Sequence, residues 1–110
     1  MKVIIVGCGR VGQTLAEKLN GDGNDVTVID LSAAKINEIT GTCDVMGVIG
    51  NGATHTVQKE AGIKKADLLI AVTDSDELNL LCCMIAKKNS KCEVIAKLQS
   101  FGFTLKSDND

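Results

Sequence analysis

The chain has no proline, no tryptophan and no tyrosine, and its two phenylalanines, Phe101 and Phe103, both fall within the last ten residues. A core without aromatic rings must be built from Val, Ile, Leu and Ala, the composition of a parallel sheet buried on both faces. A basic excess is also missing. Twelve Lys and Arg against 14 Asp and Glu give a net charge of −2, which argues against nucleic acid as a partner. No apolar run approaches the ~20 residues that cross a bilayer. The apolar start, Met1 to Gly7, is too short for a signal peptide and has no cleavage site, so a cytoplasmic location is expected. The cysteines Cys8, Cys43, Cys82, Cys83 and Cys92 include no C-x-x-C pair, and the one histidine, His55, has no Cys or acidic partner in sequence. Zinc-ligand spacing is therefore absent and no metal is expected. The thiols read as small apolar packing in a reducing compartment, and His55 as a surface residue.

What is present, 110 residues with 45% hydrophobic and 24% charged, suits one globular domain with a modest core. Lys2–Val6 is a continuous apolar run of strand length ended by glycine. From Val11 the spacing becomes helical, with Leu15 and Leu19 following at intervals of four, and Asn20 to Asn24 stops that helix. Val26–Asp30 is a second strand, Ser32 caps a short helix containing Ile36 and Ile39, and Val45–Ile49 is a third strand. Thr54 caps a helix that ends at Gly62, and Asp67–Val72 is a fourth strand. Leu78, Leu81, Cys82, Ile85 and Ala86 form the stripe of the clearest helix, capped by Asp74 or Ser75, before a fifth strand at Val94–Ala96. Strands alternating with helices predict an α/β, Rossmann-like doubly wound parallel sheet of three layers, α/β/α, in the order 3-2-1-4-5. Residues 1–99 form that domain. Residues 100–110, polar and aperiodic, are expected to be an irregular tail, a truncation or the start of a crossover helix.

Gly7-Cys8-Gly9-Arg10-Val11-Gly12 matches G-x-G-x-x-G, a pattern expected by chance in roughly 0.1 chains of this composition. Its place between the first strand and the first helix gives it weight. There Gly7 permits a tight turn, Gly9 lets the backbone approach a pyrophosphate, and Gly12 lets helix and strand pack closely. The helix N-terminus adds free N–H donors for the phosphates. Asp30 ends the second strand 18 residues after Gly12, where a carboxylate accepts hydrogen bonds from both hydroxyls of an adenosine ribose. It would also repel a 2′-phosphate, and no arginine follows it, so NAD is favoured over NADP. The competing reading of Asp30 is a turn cap before the Ser32 helix. Arg10, the only arginine, opposes the helix dipole in the first turn, and that conflict favours a phosphate contact.

Further motifs follow in close order: Ile49-Gly50-Asn51-Gly52-Ala53-Thr54, Ala61-Gly62-Ile63 with Ala66-Asp67, and Ile70-Ala71-Val72-Thr73 with Asp76-Glu77 and Asn79. Together with the start they resemble the N-terminal nucleotide-binding lobe of the TrkA/KTN (RCK) family, which regulates potassium transporters and channels. The resemblance runs from Met1 to about Leu98. It implies that Gly7, Cys8, Gly9, Arg10 and Val11 line a diphosphate, and that Asp30, with Leu31 beside it, holds the adenosine ribose. It further implies that Asn51 and Gly52 flank the adenine and that Thr73 and Asp74 lie beside the second nucleoside or the phosphates. Lys97 stands where the family commonly has arginine, keeping the charge without the bidentate fork. The implied ligand is NAD or NADH, alternatively ATP, ADP or AMP. The implied partner is a membrane potassium transporter or channel subunit that holds the chain at the inner face of the membrane. The implied assembly is a homo-dimer or larger ring, to which the apolar Leu78 helix and an open fifth-strand edge would also contribute.

Two other functions compete with this regulatory module. The cofactor half of an NAD-dependent dehydrogenase would need a substrate pocket and a general acid or base beside the nicotinamide. About 100 residues are consumed by the nucleotide lobe, which leaves none for a substrate domain. A thiol redox sensor would use Cys8, its pKa lowered by the helix N-terminus. Binding without turnover is the reading the residues favour.

Overall fold

The structure, a computed structural model, describes residues 1–99 and the backbone of 103–106. Its elements are β1 (Lys2–Val6), α1 (Arg10–Gly21), β2 (Asp25–Asp30), α2 (Ala33–Thr42), β3 (Met46–Ile49), α3 (His55–Glu60), β4 (Leu68–Ala71), α4 (Asp76–Asn89), β5 (Glu93–Leu98) and β6 (Phe103–Lys106). A 3-10 turn at Ile63–Lys65 leads into β4 after Gly62, which holds φ +90° and so ends α3 in the left-handed region.

The sheet runs β3-β2-β1-β4-β5-β6, and the first five strands are parallel throughout. Side chains alternate across β1 and divide the core into two layers. Val3 and Ile5 pack with Ala16, Ile36 and Ile39 of α1 and α2. Ile4 and Val6 pack on the other face with Cys82, Cys83 and Ala86 of α4. The result is the expected three-layer α/β/α fold, with a core of aliphatic and small side chains. Ile4, Ile5 and Ile29 are wholly buried, each burial contributing ~1.5–3 kcal/mol. The central pairing joins distant parts of the chain, with Val3 opposite Leu68 and Val6 opposite Ala71.

The expectation of an irregular segment after residue 99 is corrected at 103–106. Phe103–Lys106 forms β6, antiparallel to β5, with Leu98 opposite Phe103 and Lys97 opposite Thr104. Its Phe-Thr-Leu-Lys alternation spans only four residues, too few for periodicity to register, and the partner that makes it a strand is β5. Residues 100–102 and 107–110 lie outside the described residues. Because β6 covers the β5 edge, that edge no longer supports self-association. The large apolar side chains that α4 leaves exposed are Leu81 and Met84, at 45% and 66%.

Candidate functional site

The strand order reverses between β1 and β4, and the carboxyl ends of the strands open there into a cleft, the usual ligand position in a doubly wound sheet. Gly7, Cys8 and Gly9 reach it from β1, Asp30 and Leu31 from β2, Asn51 and Gly52 from the loop after β3, and Thr73 and Asp74 from β4.

The three loop glycines serve different needs. Gly7 sits at φ +110°, and a Cβ there would lie 3.0 Å from the backbone of Val72 and Thr73. A Cβ on Gly12 would lie 1.8 Å from the Gly7 carbonyl oxygen, so helix and strand could not close on one another. Gly9 differs from both. Its φ of −80° suits any residue, and a Cβ would meet nothing within 4 Å. Neither backbone nor packing demands glycine at 9, which leaves room for a group from outside the chain. Gly9 is also the N-cap of α1 and makes no side-chain cap, so the first-turn N–H groups have no capping acceptor.

Asp30 does two jobs at once. Its Oδ2 accepts from the Cys8 backbone N–H at 2.7 Å and its Oδ1 from the Ser32 N–H at 2.8 Å. The carboxylate thereby clasps the glycine loop to the entry of α2, where the Ser32 hydroxyl accepts from the Lys35 N–H. The turn-cap reading is therefore realised, and it does not displace the ligand reading, because each carboxylate oxygen keeps a further acceptor site.

On the other side of the cleft, Asn79 is wholly buried and holds the loop after β4. Its Oδ1 accepts from the Thr73 N–H and hydroxyl at 2.8 and 2.7 Å, and its amide donates to the carbonyls of Thr73 and Lys97. The Thr73 hydroxyl also accepts from the Ser75 N–H. Of the two candidate caps for α4, Ser75 is the one used, its hydroxyl accepting from the Leu78 N–H. The Asn51 side chain accepts from the Ala53 N–H, and Gly52 presses on β1, a Cβ there lying 2.5 Å from Val6 Cγ1.

Four expected site residues do not line the cleft. Arg10 and Val11 stand exposed on the first turn of α1, and Gly12 is buried beneath it. Lys97 lies in β5, one strand beyond, with its carbonyl on Asn79. Two residues were missed. Lys35 lines the cleft from the first turn of α2, and the dipole conflict that singled out Arg10 applies to it equally. Gln58, fully buried, donates to the carbonyls of Gly52 and Cys82 at 2.8 and 2.9 Å and so braces the cleft wall against α4. A lone polar residue on the inner face of a six-residue helix carries no signal of that bracing. His55 is half-buried rather than a surface residue, with its Nε2 enclosed and without a partner among the described residues.

The four buried thiols, Cys8, Cys82, Cys83 and Cys92, sit where the thiolate is disfavoured. Burial, with Asp30 next, pushes the Cys8 thiol up, against an opposing pull from Lys35, which corrects the lowering expected from the helix N-terminus. Burial pushes Cys82 and Cys92 up to about 11 and Cys83 up to about 12. Among the described residues no group of three His, Cys, Asp or Glu is placed to hold a metal ion, and no helix is long and apolar enough to cross a membrane.

The TrkA-N domain family model matches residues 3–104. The Trk system potassium uptake protein TrkA of Halomonas elongata is 45% identical over 86 residues, which is 78% of this chain and 19% of that protein, so the chain spans about a fifth of that relative. Among solved structures, the TrkA-N domain of the inner membrane protein ybaL from Escherichia coli superposes with a TM-score of 0.78 at 26% identity, covering 84% of this chain and 69% of that one. The Kef C-terminal domain of Shewanella denitrificans in its AMP-bound form does so with a TM-score of 0.72 at 27% identity, covering 86% and 58%. With the glycine loop, the acid ending β2 and the sheet order all in place, the chain belongs to the TrkA-N domain family.

Proposed function

We propose that the chain is a regulatory nucleotide-binding domain of a potassium uptake system, taking NAD(H) or an adenine nucleotide in the cleft without turning it over. The observation that carries the reading is Gly9. It is an open position, required by neither backbone nor packing, at the uncapped N-terminus of α1 and on the same cleft as Asp30. A diphosphate would take the free amides of the α1 first turn, with Arg10 at its rim. The adenosine ribose would take the remaining acceptor sites of Asp30, and the adenine would lie against Asn51 and Gly52. Thr73 and Asp74 would border the far end, while Lys97 would act only at a distance. Gly12 serves the packing that makes the loop possible.

The AMP-bound Kef domain supports adenosine recognition, and the name of the Halomonas relative supports a potassium-transport partner at the membrane. Exposed Leu81 and Met84 on α4 are the surface through which a dimer or ring would form. The cleft holds no histidine, and its ionisable lining is Cys8, Asp30, Lys35 and Asp74, which supports binding over hydride chemistry. Titration of NADH, followed by its own fluorescence without protein tryptophan emission, tests the reading alongside calorimetry with ATP, ADP and AMP. Saturable binding with no NADH oxidation over hours with small carbonyl compounds is expected. Absence of binding, or steady turnover, would overturn it.

A further inference from the structure

The charged residues that line the cleft are two carboxylates, Asp30 and Asp74, and one cation, Lys35. The carboxylate of Asp30 is committed to two backbone N–H groups, and among the described residues Lys35 makes no ion pair with it or with any other acid. Lys35 stands in the first turn of α2, five residues after Asp30, where a cation is locally unfavourable. It is also exposed, so packing does not explain it. A free ammonium on the ribose side of the cleft changes what Asp30 excludes. Alone, the acid ending β2 repels a 2′-phosphate, whereas a cation beside it accommodates one.

We propose that Lys35 sets the specificity of the adenosine end, its ammonium admitting a ribose 2′-phosphate beside Asp30 so that the cleft takes NADP(H) as well as NAD(H). The proposal rests on the nucleotide-binding reading above and narrows it. Lysine meets a phosphate as a point charge without needing a fixed fork, which suits an exposed residue on a helix turn. Asp30 retains its acceptor sites for the 3′-hydroxyl, and for the 2′-hydroxyl when no phosphate is present.

The test compares NADH with NADPH, and AMP with adenosine 2′,5′-bisphosphate, on the wild-type chain and on Lys35→Ala, Lys35→Glu and Lys35→Arg. The wild type should bind NADPH within about tenfold of NADH. Lys35→Ala should weaken the two 2′-phosphorylated ligands about tenfold and NADH or AMP by no more than about twofold, in line with one lost charge-assisted contact. Lys35→Glu should widen that gap, and Lys35→Arg should retain the wild-type ratio. A wild type that binds NADPH over about 100-fold more weakly than NADH would overturn the proposal. So would a Lys35→Ala variant that loses both ligand types equally, which would place the ammonium on the pyrophosphate. If NADH and AMP do not bind at all, the nucleotide reading itself falls and this one with it. Binding with an unchanged ratio defeats only the assignment of Lys35.

Discussion

The two sides of the cleft use their polar groups in opposite ways. On the β4 side, the hydroxyl and backbone amide of Thr73 and the amide of Asn79 are spent on one another and on the Lys97 carbonyl. On the β1 side, the first-turn amides of α1 have no capping acceptor and Gly9 faces open space. One side is scaffold and the other is kept for something outside the chain. Asp30 belongs to both, because its two backbone contacts fix the loop while its remaining acceptor sites stay free.

The comparison can be broken on the scaffold side first. Asn79→Ala should cost about 3–5 kcal/mol, since it removes a wholly buried side chain and leaves four part-buried hydrogen bonds to Thr73 and Lys97 unmade, and should lower Tm by more than about 12 °C in calorimetry. A loss under ~1 kcal/mol would show that the β4 side does not depend on this amide. Asp30→Ala should cost about 2 kcal/mol through its two backbone hydrogen bonds and weaken adenosine-ribose ligands by about one to three powers of ten. Denaturant titration and ligand calorimetry on the same variant separate the two losses. Unchanged affinity would return Asp30 to a turn cap alone.

Alkali should act on the scaffold side as well. Cys82, Cys83 and Cys92 pack in one core layer and stay protonated in the fold up to about 11 to 12, whereas they ionise near 9.0 in the unfolded chain. Between those values the folded state holds the extra protons, so stability is full below about pH 9 and falls as pH rises, by up to ~1.4 kcal/mol per pH unit for each group. Urea titrations from pH 7 to 10.5 should show this slope, and it should be shallower in Cys83→Ala. The smallest effect on stability is reserved for the open side. Gly9→Asp places a good N-cap on α1 and should change stability by only a few tenths of a kcal/mol, in the favourable direction. The same carboxylate occupies the phosphate position, and nucleotide affinity should fall about 100-fold or more. A variant that still binds would move the diphosphate away from Gly9.

Legibility in the sequence followed the range of the interactions. The five parallel strands, the glycine loop and Asp30 announce themselves through local spacing and strand ends, and all appear where expected. Phe103–Lys106 did not, because a four-residue strand is defined by its pairing with β5. Lys35 was missed although it carries the same first-turn conflict as Arg10, while Arg10 itself stands outside the cleft. Gln58 and Asn79 show nothing in sequence of the carbonyls they reach across elements. The direction of the Cys8 shift was misjudged because burial, a tertiary property, is its largest cause, followed by Asp30.

The central register carries a kinetic consequence. Val3 pairs with Leu68, so the first strand waits for 65 further residues before its second neighbour exists. At synthesis rates of ~5–20 residues per second, that delay is ~3–13 s. For that interval β2 is the only neighbour β1 can have, and Lys-Val-Ile-Ile-Val presents one bare edge, among the most apolar stretches of the chain. β4, α4, β5 and β6 are consecutive neighbours whose contacts close quickly once made. The nascent chain is therefore most exposed to mispairing early, through the strand that ends as the middle of the sheet.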